Sequence, residues 1–145
     1  VDGKRMGLRG RIDRIDVNED TGQRIVFDYK TSDSAKPPEK THRKSSGEWI
    51  DLQLPLYRHL LGSLEMDEAD TQLAYIVLPK DTSKVGGMIA GWSQDDFDAA
   101  DATARDVVRR VWAEAFWPPV DPAPLFSEEF ADICLDNQFH AARKL

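Results

Sequence analysis

Apolar and polar positions near the start of the chain predict a β-hairpin. Residues 6–17 fit a strand with a local irregularity, because their apolar positions alternate only in part. Residues 18–22 (NEDTG) are typical of a turn. Residues 23–30 (QRIVFDYK) contain the apolar run Ile-Val-Phe that is typical of a strand buried on both faces. The two strands are expected to pair with each other.

A polar loop and a helix are expected next. Residues 31–47 contain two prolines and end in Gly, and a loop of this length is usually either functional or flexible. From about Glu48 to Leu61, apolar residues recur at helical spacing and predict a largely buried helix. Pro55 lies inside this helix. Because proline lacks the backbone N–H, it should free the carbonyl of Asp51 and kink the axis.

Two further strands and a long helix complete the pattern. The strands are expected at residues 71–78 and 85–92, joined by a turn region around residue 80. Ser93 with Asp96 three residues later is a capping-box arrangement, which indicates the start of the helix.

The long helix should turn one apolar stripe toward the core. Pro118 and Pro119 are expected to end it, and residues 118–145 are expected to form a C-terminal cap or tail with one short helix near residues 130–139. The expected stripe consists of Phe97, Ala100, Ala104, Val107 or Val108, Val111 and Ala115.

The composition indicates one globular domain. A chain of 145 residues that is 41% hydrophobic, with four Trp and six Phe, can bury one core. No apolar run approaches the roughly 18 residues of a membrane span, and residues 1–10 are too polar and basic for a secretory signal. We therefore expect a cytoplasmic protein without a membrane partner. The single cysteine, Cys134, excludes an internal disulfide framework and a zinc or iron–sulfur site built from this chain's cysteines alone.

The charge is distributed unevenly. A net charge of −7 argues against a free-standing, tight DNA binder, because Lys and Arg supply most non-specific affinity for phosphate. Residues 1–45, however, hold 11 Lys or Arg against 8 Asp or Glu, whereas residues 46–145 hold 8 against 18. The excess of basic residues therefore lies in the part of the chain that also contains the candidate metal ligands. Most basic clusters of this kind, however, are solvated surfaces.

Candidate metal ligands fall on the predicted hairpin. Asp13 and Asp28 can approach across it, and two carboxylates on adjacent strands suit a hard divalent cation such as Mg²⁺, with Mn²⁺ as an alternative. The backbone carbonyl of Tyr29 would add another oxygen ligand. Lys30 lies two residues beyond Asp28, so an extended strand points both side chains to the same face. This arrangement suits phosphodiester hydrolysis, since a metal activates water and a lysine stabilises developing charge.

Three segments in this order resemble the RecB/AddB-type nucleases of the PD-(D/E)XK superfamily. Each segment alone is a weak signal, but their order on strand, strand and helix is specific. The segments are GRIDRID at 10–16, FDYKTS at 27–32 and QLPLY at 53–57.

The resemblance implies a role for each matching residue. Asp13 and Asp28 would hold the metal, and Lys30 would be catalytic. Gln53 and Tyr57, which are four residues apart and share a helix face, would help to arrange the active site and the DNA.

The resemblance also implies a fold and an activity. The fold would be a restriction-endonuclease-like α/β domain, with a mixed β-sheet flanked by helices. The activity would be that of a Mg²⁺-dependent, exonuclease-like deoxyribonuclease within a helicase-nuclease of DNA recombination and repair. Its partners would be DNA and a helicase domain or subunit. Two alternatives stay open: a non-catalytic nuclease-fold module that binds DNA or scaffolds a partner, and another metal-dependent hydrolase.

The chain departs from the family pattern in two ways. The family has a helix before the first strand that supplies another acidic or His ligand, and this chain begins too late to contain it, so we expect residues 1–145 to be a fragment forming a single nuclease-type domain. The four-cysteine iron–sulfur cluster of AddB-like members is not expected here, because Cys134 is alone.

Plainer interpretations exist for the candidate site residues. Asp13, Arg14 and Asp16 could be ordinary exposed charges on a strand. Asp16 competes with Asp13, but it lies three residues later and should face the opposite side of a regular strand, so we favour Asp13. Asp28 and Lys30 could form an ordinary ion pair of little energetic value. Gln53 and Tyr57 could be a buried polar pair satisfied within the core.

The remaining histidines and loop cations have no decisive spacing. None of the three histidines has metal-ligand spacing, and each is expected in a loop, on a helix surface or in the tail. The loop cations could meet phosphates or form a solvated loop. The histidines are His42, His59 and His140, and the cations are Lys40, Arg43 and Lys44.

Overall fold

One mixed sheet organises the chain. A computed structural model describes residues 1–66 and 71–116. The strand order is β1-β2-β3-β4, in which β1 and β4 are antiparallel to their neighbours and β2 and β3 are parallel. The mixed sheet and the opening hairpin are therefore confirmed. The strands are β1 Arg14–Val17, β2 Arg24–Lys30, β3 Thr71–Val77 and β4 Gly86–Ile89.

The first strand is much shorter than the sequence pattern predicts. Strand β1 begins at Arg14 rather than at residue 6, and residues 2–11 are exposed. The backbone ladder stops there because the N–H of Tyr29 donates to the side chain of Asp13 instead of to a carbonyl of β1. The prediction of a strand over residues 6–13 is wrong, and this segment lies outside the sheet.

The core lies between the central strands and the helices that follow β2. Strands β2 and β3 pair in register over seven residues, from Arg24 opposite Thr71 to Lys30 opposite Val77. Their side chains on the face toward the helices are among the most buried of the molecule. On the opposite face of β2, Ile25 and Phe27 are half-buried and Tyr29 is exposed, so the expected burial of this strand on both faces is only partial. The buried cluster consists of Val26, Leu54, Tyr57, Leu61, Leu73, Tyr75 and Val77.

The expected loop 31–47 contains a short helix. Helix α1 spans Pro38–His42, with a proline in its first turn, where the missing N–H costs nothing. Beyond α1 the chain folds back on itself, because Arg43 and Trp49 form an antiparallel bridge and the N–H of Ile50 donates to the carbonyl of His42. Residues 48–52 are therefore not helical, and the predicted helix start at Glu48 is wrong.

The predicted helix over residues 48–61 consists of two short helices. Helix α2 spans Gln53–Leu56 and helix α3 spans Arg58–Leu61, with the break at Tyr57. Instead of a kink at Pro55, the structure has a break between the two helices at Tyr57, which keeps helical backbone angles. The carbonyl of Asp51, which has no helical donor because of Pro55, lies 3.0 Å from Nδ1 of His42.

The long helix begins where the capping box predicts. Helix α4 spans Gln94–Trp112, and Asp96 accepts from both the N–H and the hydroxyl of Ser93 at 2.9 Å. It ends at Trp112, well before Pro118, and Glu114 takes a left-handed conformation with φ 53°. The prediction that prolines end this helix is wrong.

Only part of the expected apolar stripe of α4 is covered. Ala100 is fully buried, whereas Val107 and Val111 are exposed. Near the start of α4, the buried side chain of Arg58 donates to Asp101 at 3.1 Å and its guanidinium lies over Phe97. Helix α3 and the first turns of α4 are therefore joined by an ion pair shielded from water.

The chain divides into two compact units, Val1–Arg109 and Arg110–Leu145. The candidate site lies in the first. Of the second, the structure describes residues 110–116, which finish α4 and turn at Glu114. The expected tail at 118–145 lies outside the described residues, and the single nuclease-type domain stays a prediction. No helix in the described part of the chain is long and apolar enough to cross a membrane.

Candidate active site

Asp28 is the buried centre of a polar cluster. It lies on β2 and is 5% exposed. Its Oδ1 atom accepts from Nε2 of Gln53 at 3.2 Å and from the hydroxyl of Tyr57 at 3.4 Å. Its Oδ2 atom lies 2.8 Å from Nζ of Lys30. Side chains from β2, α2 and the α2–α3 break therefore meet on one carboxylate.

Lys30 is held between an acid and an aromatic ring. As the extended strand requires, its side chain lies on the same face as that of Asp28. Its ammonium also lies 4.7 Å from the centre of the Tyr75 ring, on the neighbouring strand β3. A cation over an aromatic face is attracted by the ring's negative face, so the ammonium is fixed on two sides.

Gln53 and Tyr57 form a pair despite the helix break between α2 and α3. Nε2 of Gln53 lies 2.7 Å from the hydroxyl of Tyr57. Tyr57 closes α2 with helical backbone angles, which keeps the four-residue spacing on one face. Burial raises the pKa of Tyr57, and the nearby charges of Asp28 and Asp13 raise it further against the opposing hydrogen bond from Gln53. The hydroxyl therefore stays protonated and donates to Asp28.

Asp13 reaches the site from outside the sheet. It lies one residue before β1, and its Oδ2 accepts from the backbone N–H of Tyr29 at 3.1 Å. The N–H and the carbonyl of one strand residue point to the same side, so the carbonyl of Tyr29 lies on the Asp13 side of β2. The segment before Asp13 packs closely, since a Cβ at Gly10 would lie 2.9 Å from Cδ1 of Leu60.

Asp16, the competing carboxylate, forms an ion pair with Arg14. Its two oxygens lie 2.6 and 2.8 Å from Nε and Nη2 of Arg14, in a bidentate ion pair on the exposed edge strand. The hydrogen bond from Arg14 lowers the pKa of Asp16. The structure brings Asp13, and not Asp16, to the cluster.

An open cavity of about 540 Å³ lies over these side chains. Polar groups and arginines share its lining with apolar side chains of α2 and α3. Arg9 and Arg11 were not candidates from the sequence, which showed only that the first 45 residues are basic. The lining consists of Leu8, Arg9, Gly10, Arg11, Asp13, Asp28, Gln53, Leu56, Tyr57 and Leu60.

The oxygen atoms of this cavity fit a hard divalent cation. Oδ2 of Asp28 is buried and, apart from its ion pair with Lys30, has no hydrogen-bond partner among the described residues. A carboxylate oxygen of this kind can bind a hard cation. Within residues 1–66 and 71–116, no three His, Cys, Asp or Glu side chains converge as a metal-binding group. Asp13, Asp28 and the Tyr29 carbonyl therefore suit an ion that keeps several waters, as Mg²⁺ does.

His42 is the residue whose environment the sequence analysis missed. Instead of lying in a solvated loop, it ends α1 and is 1% exposed. Its Nδ1 faces the carbonyl of Asp51, and its Nε2 contacts the hydroxyl of Tyr75. Burial raises the pKa of Tyr75, which keeps that hydroxyl protonated. His42 thus contacts the hydroxyl of the same tyrosine whose ring contacts the ammonium of Lys30.

His59 lies away from this network. His59 is on α3 and lies 2.8 Å from Asp101 of α4, so it belongs to the helix contact described above. His140 is outside the described residues. The one signal in the sequence for the position of His42 was Pro55. This proline leaves the carbonyl of Asp51, four residues earlier, without a helical donor, so another group has to supply one.

Comparison with known proteins identifies the family. No curated protein and no solved structure matches the chain closely enough to count as similar. The sequence pattern of the PD-(D/E)XK nuclease superfamily, however, matches residues 1–134. The mixed sheet flanked by helices is consistent with the restriction-endonuclease-like fold of that superfamily, whose members are generally metal-dependent nucleases. This chain belongs to the PD-(D/E)XK nuclease superfamily.

Proposed function

We propose that this chain is a Mg²⁺-dependent deoxyribonuclease whose site consists of Asp13, Asp28, Lys30, Gln53 and Tyr57. One observation carries the proposal. A buried carboxylate, Asp28, lines the open cavity and has one oxygen held by Gln53 and Tyr57 while the other lies 2.8 Å from Nζ of Lys30. A purely structural ion pair would not require this division between the two oxygens.

The metal would be held by oxygen ligands of β2 and of the segment before β1. These are the carboxylates of Asp13 and Asp28 and the backbone carbonyl of Tyr29, with Mn²⁺ as an alternative ion. When bound, a divalent ion lowers the pKa of a coordinated water and offsets negative charge on the phosphoryl oxygens.

The protein side chains orient the reacting groups. Gln53 and Tyr57 donate to Oδ1 of Asp28 and thereby fix the direction in which Oδ2 points. Lys30, held between Asp28 and the Tyr75 ring, places a positive charge beside the phosphate as water attacks phosphorus and the phosphorus–oxygen bond to the leaving strand breaks. A lysine in this position stabilises the added charge of the transition state.

DNA is the substrate that the site supports. Arg9 and Arg11 line the cavity, where guanidinium groups can contact phosphates on either side of the cleaved bond. A RecB/AddB-like, exonuclease-like activity within a helicase-nuclease of recombination and repair rests on the resemblance of three segments. These segments contain all five proposed site residues.

Cleavage of linear DNA tests the proposal. With Mg²⁺ present, Asp28→Asn and Lys30→Met should each lower the rate of cleavage by at least about a thousandfold, because each removes a charge that acts on the transition state. The matched control is Asp16→Asn, which removes the same charge from β1 and should leave the rate unchanged. Wild-type rates in both site variants would contradict the proposal.

A second candidate function is a non-catalytic module that binds DNA. The observation in its favour is that no three His, Cys, Asp or Glu side chains of the described part of the chain form a metal-binding group. Calorimetric titration with Mn²⁺ separates the two functions. A binding event that Asp28→Asn and Asp13→Asn abolish supports the enzyme, whereas DNA binding without any metal binding supports the module.

A further inference from the structure

A second cavity lies next to Lys30. Its volume is about 390 Å³, and it is formed by the end of β2, the loop after it and helix α1. Three lysines and three hydroxyl groups line it, along with Ala35 and the edge of Tyr75. The polar lining residues are Lys30, Ser32, Ser34, Lys36, Lys40 and Thr41.

The cations of this loop fall into two groups. Arg43 forms an ion pair with Asp96, and Lys44 lies 2.8 Å from Glu48. Lys36 and Lys40 line the cavity and form no ion pair with any acid of residues 1–66 or 71–116. The loop thus pairs Arg43 and Lys44 with acids and leaves Lys36 and Lys40 as two exposed positive charges in the lining of the cavity.

Phosphate is the ligand chemistry that such a lining suits. Ammonium groups bind phosphate as point charges, and hydroxyls of serine and threonine commonly contact phosphate oxygens. Carboxylates are absent from this lining, in contrast to the first cavity, which contains Asp13 and Asp28. A cation would be repelled here, whereas an anion would be attracted.

The Asp28–Lys30 ion pair connects the two cavities. Asp28 lines the first and Lys30 lines the second, and Nζ of Lys30 lies 2.8 Å from Oδ2 of Asp28. The two cavities are therefore neighbours across this ion pair. A strand with its cleaved phosphate over Asp28 would pass Lys30 and bring a neighbouring phosphate to the second cavity.

We propose that the Lys36/Lys40 cavity is a binding subsite for a phosphate of the substrate strand next to the one that is cleaved. The proposal rests on the nuclease function proposed above and names a substrate contact for it. The phosphate can be an internal phosphodiester or the phosphate of a strand end, since both present the same oxygens.

Binding of a single-stranded oligonucleotide, measured by fluorescence anisotropy in EDTA, tests the subsite without requiring cleavage. The Lys36→Ala/Lys40→Ala variant should raise Kd about tenfold and reduce the slope of log K against log salt by about 0.7, the value for one phosphate of a single strand. The control Lys44→Ala/Lys84→Ala removes the same charge from exposed lysines paired with acids. An equal increase of Kd in both variants would overturn the proposed subsite.

Modified substrates identify the phosphate. In cleavage assays, a neutral methylphosphonate next to the cleaved bond should raise KM about tenfold for the wild type but hardly for Lys36→Ala/Lys40→Ala, with kcat changed less than about threefold. If removing the terminal phosphate has this effect instead, the subsite binds a strand end. If both modifications affect wild type and variant equally, the subsite proposal is wrong. Failure of the wild type to cleave DNA contradicts the nuclease function, whereas the anisotropy comparison still decides the subsite.

Discussion

Strand β2, which carries Asp28, and strand β1, which follows Asp13, differ in almost every physical respect. Strand β2, with Asp28, pairs over seven residues with β3 and includes the fully buried Val26. Strand β1, next to Asp13, has four residues, lies at the edge of the sheet and exposes Val17. One half of the site is therefore built into the core, while the other half is attached to its edge.

The contacts of Asp28 and Asp13 show how the site is held together. Asp28 is fixed by three side chains, whereas the contact described for Asp13 is the N–H of Tyr29. A buried group that loses its partners costs stability, while an exposed group can turn to water. The two acids should thus matter equally for metal binding and unequally for folding.

The largest effect expected from this comparison is that of removing each acid. Asp28→Ala and Asp13→Ala should both lower the cleavage rate by at least about a hundredfold, because each removes a proposed metal ligand. Asp28→Ala should also lower the free energy of unfolding by about 1–3 kcal/mol, since it leaves Gln53 and Tyr57 without their buried acceptor. Asp13→Ala should change it by less than about 0.5 kcal/mol.

Cleavage assays together with urea unfolding at neutral pH measure both quantities. Equal destabilisation by the two substitutions would show that the segment before β1 is as firmly anchored as the central strands.

The sequence patterns succeeded where local periodicity decides the structure. The run Ile-Val-Phe, the same-face spacing of Asp28 and Lys30, and the capping box at Ser93 depend on neighbouring residues alone, and the structure contains each of them. Gln53 and Tyr57 come together because their spacing survives the helix break.

The patterns failed where a distant partner decides the structure. Strand β1 stops because the Asp13 side chain takes a hydrogen bond from Tyr29, and residues 48–52 leave the helix because they fold back on Arg43 and His42. His42 is buried because Asp51 and Tyr75, nine and 33 residues away in the chain, supply its partners. No local periodicity encodes these contacts.

A matched pair of valines separates the two strands energetically. Val26→Ala on β2 should lower the free energy of unfolding by about 2 kcal/mol, because it removes fully buried methyl groups and leaves a cavity. Val17→Ala on β1, which is 48% exposed, should change it by less than about 0.5 kcal/mol. Urea denaturation with unchanged m-values provides the comparison, and similar losses in the two variants would place β1 in the core.

Tyr75 connects the central strands to catalysis. Tyr75→Phe keeps the ring beneath Lys30 and should leave kcat within about threefold of the wild type. Tyr75→Leu removes the cation–π contact, worth about 0.5–2 kcal/mol, and should lower kcat up to about tenfold with little change in KM. If both variants lose the same activity, the hydroxyl contact with His42 matters and the ring does not.

The smallest expected effect concerns Asp51 and Asp16. Their side chains are equally exposed, at 42%, but the residues with which they pair differ in exposure. A hydrogen bond from His42, which is 1% exposed, lowers the pKa of Asp51, whereas Asp16 owes its lowered pKa to Arg14, which is 49% exposed. A lowered folded pKa gives stability that is fully present above the unfolded value of 3.8 and is lost as pH falls through the folded pKa.

Asp51→Asn, which keeps the acceptor for the Gln53 N–H, should therefore cost less than about 1 kcal/mol at pH 7 and nothing below the folded pKa. Unfolding measured from pH 7 to 2.5 in low salt and in 1 M NaCl tests this. Salt should erase the cost of Asp16→Asn while that of Asp51→Asn persists, because a buried partner is screened less. Equal salt sensitivity of the two variants would mean that the Asp51–His42 pair is as open to solvent as the Asp16–Arg14 pair on β1.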